Sequence, residues 1–306
     1  MPMARFYFPH LFWVPSSSEE IQVGPFSLHP RRWDVSIFDL YSLVAEKHPT
    51  RMSAELMQLF LPSVNLEISV EAADHAEAKK LLDIFQAMLY VRGVQPSVAP
   101  FATSHSLNEY AGINSRSSDH LVGKLPEGMR DGITAKNSQV EGWPNALTFS
   151  ILQGESASYF GYIDAVTFSK AAETVTFWQE IEIQCVKAPM LRSALAKAPL
   201  MPDRASSILH IWQALESVFG KGPELSFRMS LSLAELCGPV ASRPEIYAMA
   251  KQSYKDRSGI THGKVDAVDV KQWMRAWDLL KEAVRAILHR KAIPSEDDLF
   301  LDLLSR

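Results

Sequence analysis

The sequence predicts an α+β N-terminal domain over residues 1–186, followed by an all-α four-helix bundle over residues 187–306. Three observations carry that expectation. The stretch "VNLEISVE" alternates apolar and polar residues, strand-like segments recur up to about residue 186 and then stop, and four helical patterns with short connections follow. The length of 306 residues suits two domains, and 47% hydrophobic with 22% charged residues excludes a disordered or fibrous chain.

In the first part, Val64, Leu66, Ile68 and Val70 share one face of "VNLEISVE", with Asn65, Glu67 and Ser69 on the other, which predicts a half-buried strand. A helix follows. Asp74 is a fair N-cap with Glu77 three residues later, Leu81, Leu82, Phe85, Met88 and Leu89 form its apolar stripe, and Gly93 ends it. Residues 93–145 are rich in Ser, Gly, Asn and Pro, the composition of a binding surface, lid or insertion. "LTFSI" and "YFGYIDAVTF" resume strand character. Residues 171–184, "AAETVTFWQEIEIQ", fit helix or strand equally.

The helical patterns are clearer. Asp203 or a neighbour opens a helix through Gly220, with Ile208, Ile211, Trp212, Leu215, Val218 and Phe219 on one side. A second runs from about Glu224 to Cys237 and stops at Gly238-Pro239. A capping box, Ser242 to Glu245, opens the third with Pro244 in its first turn. The fourth, about 265–289, places Val270, Trp273, Trp277, Leu280, Val284 and Ile287 on a seam whose intervals alternate three and four.

Charge and cysteine usage narrow the setting. Residues 243–291 hold 11 basic against 6 acidic side chains, net +5, while the chain as a whole carries −4. That local excess suits a polyanion or a solvated charged face. Cys185 and Cys237 are too few for a disulfide framework or a four-cysteine zinc site. The aromatic start "MPMARFYFPHLFWVP" is broken by Pro9, His10 and Pro15 before a signal-like core forms, and no run reaches the roughly 18 apolar residues of a membrane span. A cytoplasmic protein without membrane partners is expected.

The candidate site is "RSGITH", residues 257–262. On an unbroken helix Arg257 and His262 point about 140° apart. Gly259, β-branched Ile260 and Thr261, and then Gly263, predict a break that lets the two side chains converge. The plainer alternative is a helix-loop-helix corner in which Arg257 caps a helix end.

Arg-x-x-x-x-His between the last two long helices of a bundle, in "YKDRSGITHG", resembles the HEPN superfamily and its Apea-like branch. "ILHIWQALESVFG" and "ELSFRMSLSLAEL" look like that branch's first and second helices, so the resemblance covers roughly residues 200–290. It implies a metal-independent endoribonuclease with no cofactor, Arg257 and His262 as the catalytic pair, and Ser258 where the family commonly has a small polar residue. It also implies a homodimer in which two motifs face each other across a two-fold axis. The chemistry is coherent. RNA supplies its own 2′-OH nucleophile, histidine moves protons near neutrality, and an arginine fork offsets phosphate charge. Products would be a 2′,3′-cyclic phosphate and a 5′-hydroxyl, as expected of a toxin or anti-phage defence effector under an antitoxin or a phage-derived trigger. The competing expectation is a non-catalytic nucleotide- or RNA-binding, or purely dimerising, module.

Neighbouring residues have open roles. Glu216, if buried, needs a cation, which Arg228 or Arg257 can supply; it pairs structurally, positions Arg257 or transfers a proton. Arg228 is a bundle-stabilising partner or a phosphate contact. Tyr254 and Asp256 flank the motif as packing and helix-end residues. Lys255, Lys264 and Lys271 face a phosphate backbone or solvent. Trp273 and Trp277 are core, dimer contacts or stacking platforms. The sequence contains no P-loop, H-E-x-x-H or G-x-S-x-G motif, and its histidines show no metal-ligand spacing.

Overall fold

The computed structural model describes residues 3–32, 35, 38–39, 59–138, 140–142, 151–155, 158–220, 222–263 and 267–305. The chain forms two compact units. One comprises Met1–Leu82, Ser97–Leu147 and Ser158–Lys170, the other Asp83–Pro96, Thr148–Ala157 and Ala171–Arg306. The second unit therefore takes in residues 171–186 and two earlier segments besides the expected 187–306.

The first unit is built on a six-stranded antiparallel sheet of order β3-β4-β5-β1-β6-β7. Its strands are β1 (Ala4–Leu11), β3 (Ile21–Val23), β4 (Phe26–Pro30), β5 (Val64–Ala72), β6 (Ala102–Thr103) and β7 (Val140–Gly142). A short parallel pair joins β2 (Trp13–Pro15) to β8 (Gly161–Ile163). The strand expected at "VNLEISVE" is β5, yet it is not half-buried, because Glu67 and Ser69 on its polar face are buried with the rest. Glu67 accepts hydrogen bonds from the Ser106 hydroxyl and from the Leu107 N–H at 2.8 Å. The one-turn helix Leu107–Tyr110 thus roofs the face that alternation assigns to solvent. Beside it, Leu11, Phe60, Val64, Phe101, Tyr110 and Ile113 share an apolar cluster. Burial pushes the Glu67 carboxyl up to about 7, against the pull of its two hydrogen bonds.

α1 (His75–Val91) starts as the sequence indicates: the Glu77 N–H donates to Asp74 Oδ1, Glu77 Oε2 accepts from the Ala73 N–H, and Gly93 follows at φ +87. "LTFSI" falls almost wholly outside the described residues. "YFGYIDAVTF" is strand only at Gly161–Ile163, because Asp164 caps a helix, accepting from the Thr167 N–H at 2.6 Å. That helix, α2 (Ala165–Gln184), settles residues 171–184 as helical, with Phe168, Ala171, Val175, Trp178 and Ile181 buried at spacings of three and four.

From residue 188 onward the second unit has helices and no strand among the described residues. α3 (Ala188–Lys197) and α8 (Glu296–Leu304) add to the four expected helices, α4 (Arg204–Phe219), α5 (Leu225–Cys237), α6 (Arg243–Thr261) and α7 (Val270–Arg290). Asp203 caps α4, accepting from the Ser206 N–H. Ser242 precedes α6 without a side-chain cap, so the expected capping box is not formed. Arg243 instead makes a two-pronged ion pair with Glu235 of α5. A capping box does form at Asp269 and Gln272, which starts α7 at Val270 rather than near 265. The α7 seam is consumed inside the chain, with Trp273, Trp277, Leu280, Val284 and Ile287 all buried, so it is core rather than dimer surface. Cys237 is buried in α5, and burial pushes its thiol up to about 12, while Cys185 is half-buried. Among the described residues, no helix is long and apolar enough to cross a membrane.

Candidate active site at the end of α6

The site is the C-terminal end of α6, where it leans on α4. The helix does not break at Gly259. It continues to Thr261 and ends at His262, whose N–H returns to the Ser258 carbonyl at 3.1 Å, with Gly263 at φ +63 as the left-handed terminator. A helical glycine costs about 1 kcal/mol relative to alanine. The burial of Ile246, Ala250, Ser253 and Asp256 on the same helix outweighs it. The expected convergence of Arg257 and His262 through a break is therefore overturned. The turn lies beyond both residues, and at helical spacing their side chains leave α6 about 140° and about 7.5 Å apart.

Arg257 is mounted from α4. Its Nη2–H donates to Glu216 Oε2 at 3.0 Å, and its guanidinium lies 5.7 Å from the Tyr254 ring centroid. Tyr254 meets Trp212 edge-on at 5.1 Å, and Trp212 is fixed in the core by an Nε1–H bond to Ser253 Oγ. Glu216 lies one turn beyond Trp212, so an apolar stripe positions the acid that positions the arginine. Of the two cations the sequence offers Glu216, Arg257 is the one that meets it. Glu216 Oε1 is buried without a hydrogen-bond donor, an acceptor still unmet. Burial and the Glu216 charge raise the Tyr254 phenol above its ordinary value, so it remains a hydroxyl donor. His262, by contrast, is exposed.

The remaining candidates separate. Arg228 makes a two-pronged ion pair with Glu296 in the first turn of α8, at 2.8 and 2.7 Å, and covers Phe300. That is the bundle-stabilising role. Asp256 is buried and ties α6 to α7 through Arg275 and Gln272, with Gln252 of α6 donating to it one turn back, a packing role away from Arg257. Ser258 is half-buried, with its carbonyl holding His262. Lys255 and Lys271 are exposed, and Lys264 lies outside the described residues.

Sequence reasoning missed one neighbour of Arg257. Tyr247, Lys251 and Tyr254 recur at i, i+4 and i+7 along α6, and they line a cleft of ≈540 Å³ together with Phe227, Ser226 and Glu224 at the start of α5. Lys251 Nζ sits 5.9 Å from the Tyr247 ring centroid, and Phe227 is 54% exposed. The helical spacing of Tyr247 and Tyr254 was the available signal. Phe227 reads as core in an apolar run. No family model, curated protein or solved structure matches this chain.

Proposed function

We propose that the chain is a metal-independent endoribonuclease of HEPN type, with α4 to α7 as its four-helix bundle and Arg257 and His262 as its catalytic pair. The observation that supports the reading most is the mount of Arg257. Glu216, Tyr254 and the core-anchored Trp212 hold a guanidinium at the end of α6, with an exposed imidazole at the helix cap. One Arg257 nitrogen is committed to Glu216, and the others are left to offset charge on a phosphate.

The reaction needs nothing from outside the RNA except proton transfer. The 2′-oxygen attacks phosphorus as its proton passes to a base, and the P–O5′ bond breaks as an acid protonates O5′. The products are a 2′,3′-cyclic phosphate and a 5′-hydroxyl. One motif histidine per chain cannot hold both roles at once, and Arg257 and His262 leave α6 on different sides. Both facts favour a two-fold homodimer whose composite site pairs the motifs of two chains. Toxicity to the producing cell, restrained by an antitoxin or released by a phage-derived trigger, is the setting that fits such an activity.

A second reading, a non-catalytic RNA- or nucleotide-binding or dimerising module, is favoured by the Glu216 contact, which partly neutralises Arg257. One assay separates the two. Total RNA incubated in excess EDTA should be cleaved by wild type to cyclic-phosphate ends. Arg257→Ala and His262→Ala should each lose on the order of 10²-fold in rate, with circular dichroism unchanged. Arg257→Lys should rescue poorly, because an ammonium lacks the planar fork. Loss of cleavage in EDTA, or wild-type cleavage by His262→Ala, rules the nuclease reading out.

A further inference from the structure

The cleft beside Arg257 carries a ligand class of its own. Phe227 keeps 54% of its surface in water at the first turn of α5, and Tyr247 and Tyr254 are half-buried across from it. Three rings grouped in one cleft offer flat apolar faces to a ligand. Lys251, the cation of the cleft lining, lies against Tyr247, while Arg257 packs on Tyr254 from outside that lining. Along α6, Tyr247 and Tyr254 are about 10 Å apart with Lys251 between them, at 1.5 Å per residue. Two rings flanking one positive charge over that length suit neighbouring nucleotides and the phosphate between them. The cleft's ≈540 Å³ lies within the range of ligand sites.

We infer that this cleft is a stacking subsite for single-stranded RNA, in which Phe227 and Tyr247 take bases and Lys251 takes the adjoining phosphate. Stacking platforms with interleaved cations bind single strands with little sequence preference, because every base has a π-face. A duplex keeps its bases stacked on one another and offers these rings none. A protein partner fits less well, because lysine is depleted from the centres of protein interfaces. The inference rests on the nuclease reading for the identity of RNA as substrate, but neither Arg257 nor His262 lines the cleft.

The test is anisotropy of the full chain with a fluorescent 2′-O-methyl oligonucleotide, which the 2′-OH route cannot cleave, beside a duplex of the same sequence. Wild type should prefer the single strand. Phe227→Ala and Tyr247→Ala should each weaken it about tenfold, Phe227→Trp should restore it, and Lys251→Ala should lower the salt slope by about one phosphate. Phe227 is exposed, so its variants fold, and thermal melts verify this. Equal affinity for the duplex, no binding by wild type, or unaltered affinity in both aromatic variants would overturn the subsite. So would a change of oligomeric state in Phe227→Ala, which would give this face to a second copy of the chain. The two readings fail separately. Oligonucleotide binding that follows this pattern without RNA cleavage leaves the subsite standing and removes the nuclease. Cleavage that depends on His262 with aromatic variants binding like wild type does the reverse.

Discussion

The two units bury carboxylates in opposite ways. In the helical unit each deeply buried acid meets an arginine from a neighbouring element: Glu235 with Arg243, Glu296 with Arg228, Asp256 with Arg275, and Glu182 with Arg192. In the sheet unit Glu67 is 3% exposed and is met by a hydroxyl and a backbone N–H. The difference follows from geometry. Helix axes pack 8–10 Å apart, a gap an arginine arm can cross. Glu67 projects from β5 straight at the start of the one-turn helix Leu107–Tyr110, whose N-cap hydroxyl and backbone N–H lie over it. Acids in the first setting are held by charge, whereas burial shifts the acid in the second toward its protonated form.

The largest test of that contrast is Arg243→Ala. It takes both guanidinium hydrogen bonds from Glu235, which is 1% exposed, and should cost about 3 kcal/mol in urea unfolding. Gly238→Ala should reproduce part of this, since a Cβ there would fall 2.2 Å from Arg243 Cζ. A cost below about 1 kcal/mol for Arg243→Ala would mean that the pair does not hold the α5–α6 corner.

A comparable effect with the opposite sign belongs to Glu67→Gln. The folded-state value of Glu67 is raised, from 4.5 to about 7. Its contribution to stability is therefore complete below pH 4.5 and is lost as pH rises through about 7. Glutamine mimics the neutral, protonated acid: its amide oxygen accepts from the Leu107 N–H, and the Ser106 hydroxyl, a donor to the carboxylate, turns to accept from the amide N–H. The variant should match wild type near pH 4 and exceed it by about 3 kcal/mol above pH 8. The difference between the two urea midpoints, followed across that window, isolates Glu67 from the other carboxylates. A flat difference would show that Glu67 titrates like an exposed acid.

What the sequence made legible follows the same divide. Local signals read well. Asp74, Asp203 and Gly93 mark helix ends, and the three-four spacing of α7 marks its buried face. Features that depend on distant partners did not read. The roof over Glu67 comes from Ser106 and Leu107, some 40 residues on, and β5 alone gives no hint of it. The choice of Arg257 over Arg228 for Glu216 turns on α8, because Glu296 occupies Arg228. Gly259 was misread because a local propensity near 1 kcal/mol was weighed without the packing of α6 that overrides it. The convergence of Arg257 and His262 expected from a break at Gly259 is not borne out, because the helix runs on to Thr261.

The buried thiol of Cys237 has a practical consequence. With its proton held to about pH 12 and no solvent access, it cannot react with an alkylating reagent while α5 is packed, whereas Cys185 at the end of α2 is half-open. The chain therefore carries a built-in clock. Mass spectrometry after a pulse of iodoacetamide should show one adduct forming at once and a second appearing only as fast as the helical unit opens. The lag between them reads the lifetime of the packed helices directly, with no engineered label.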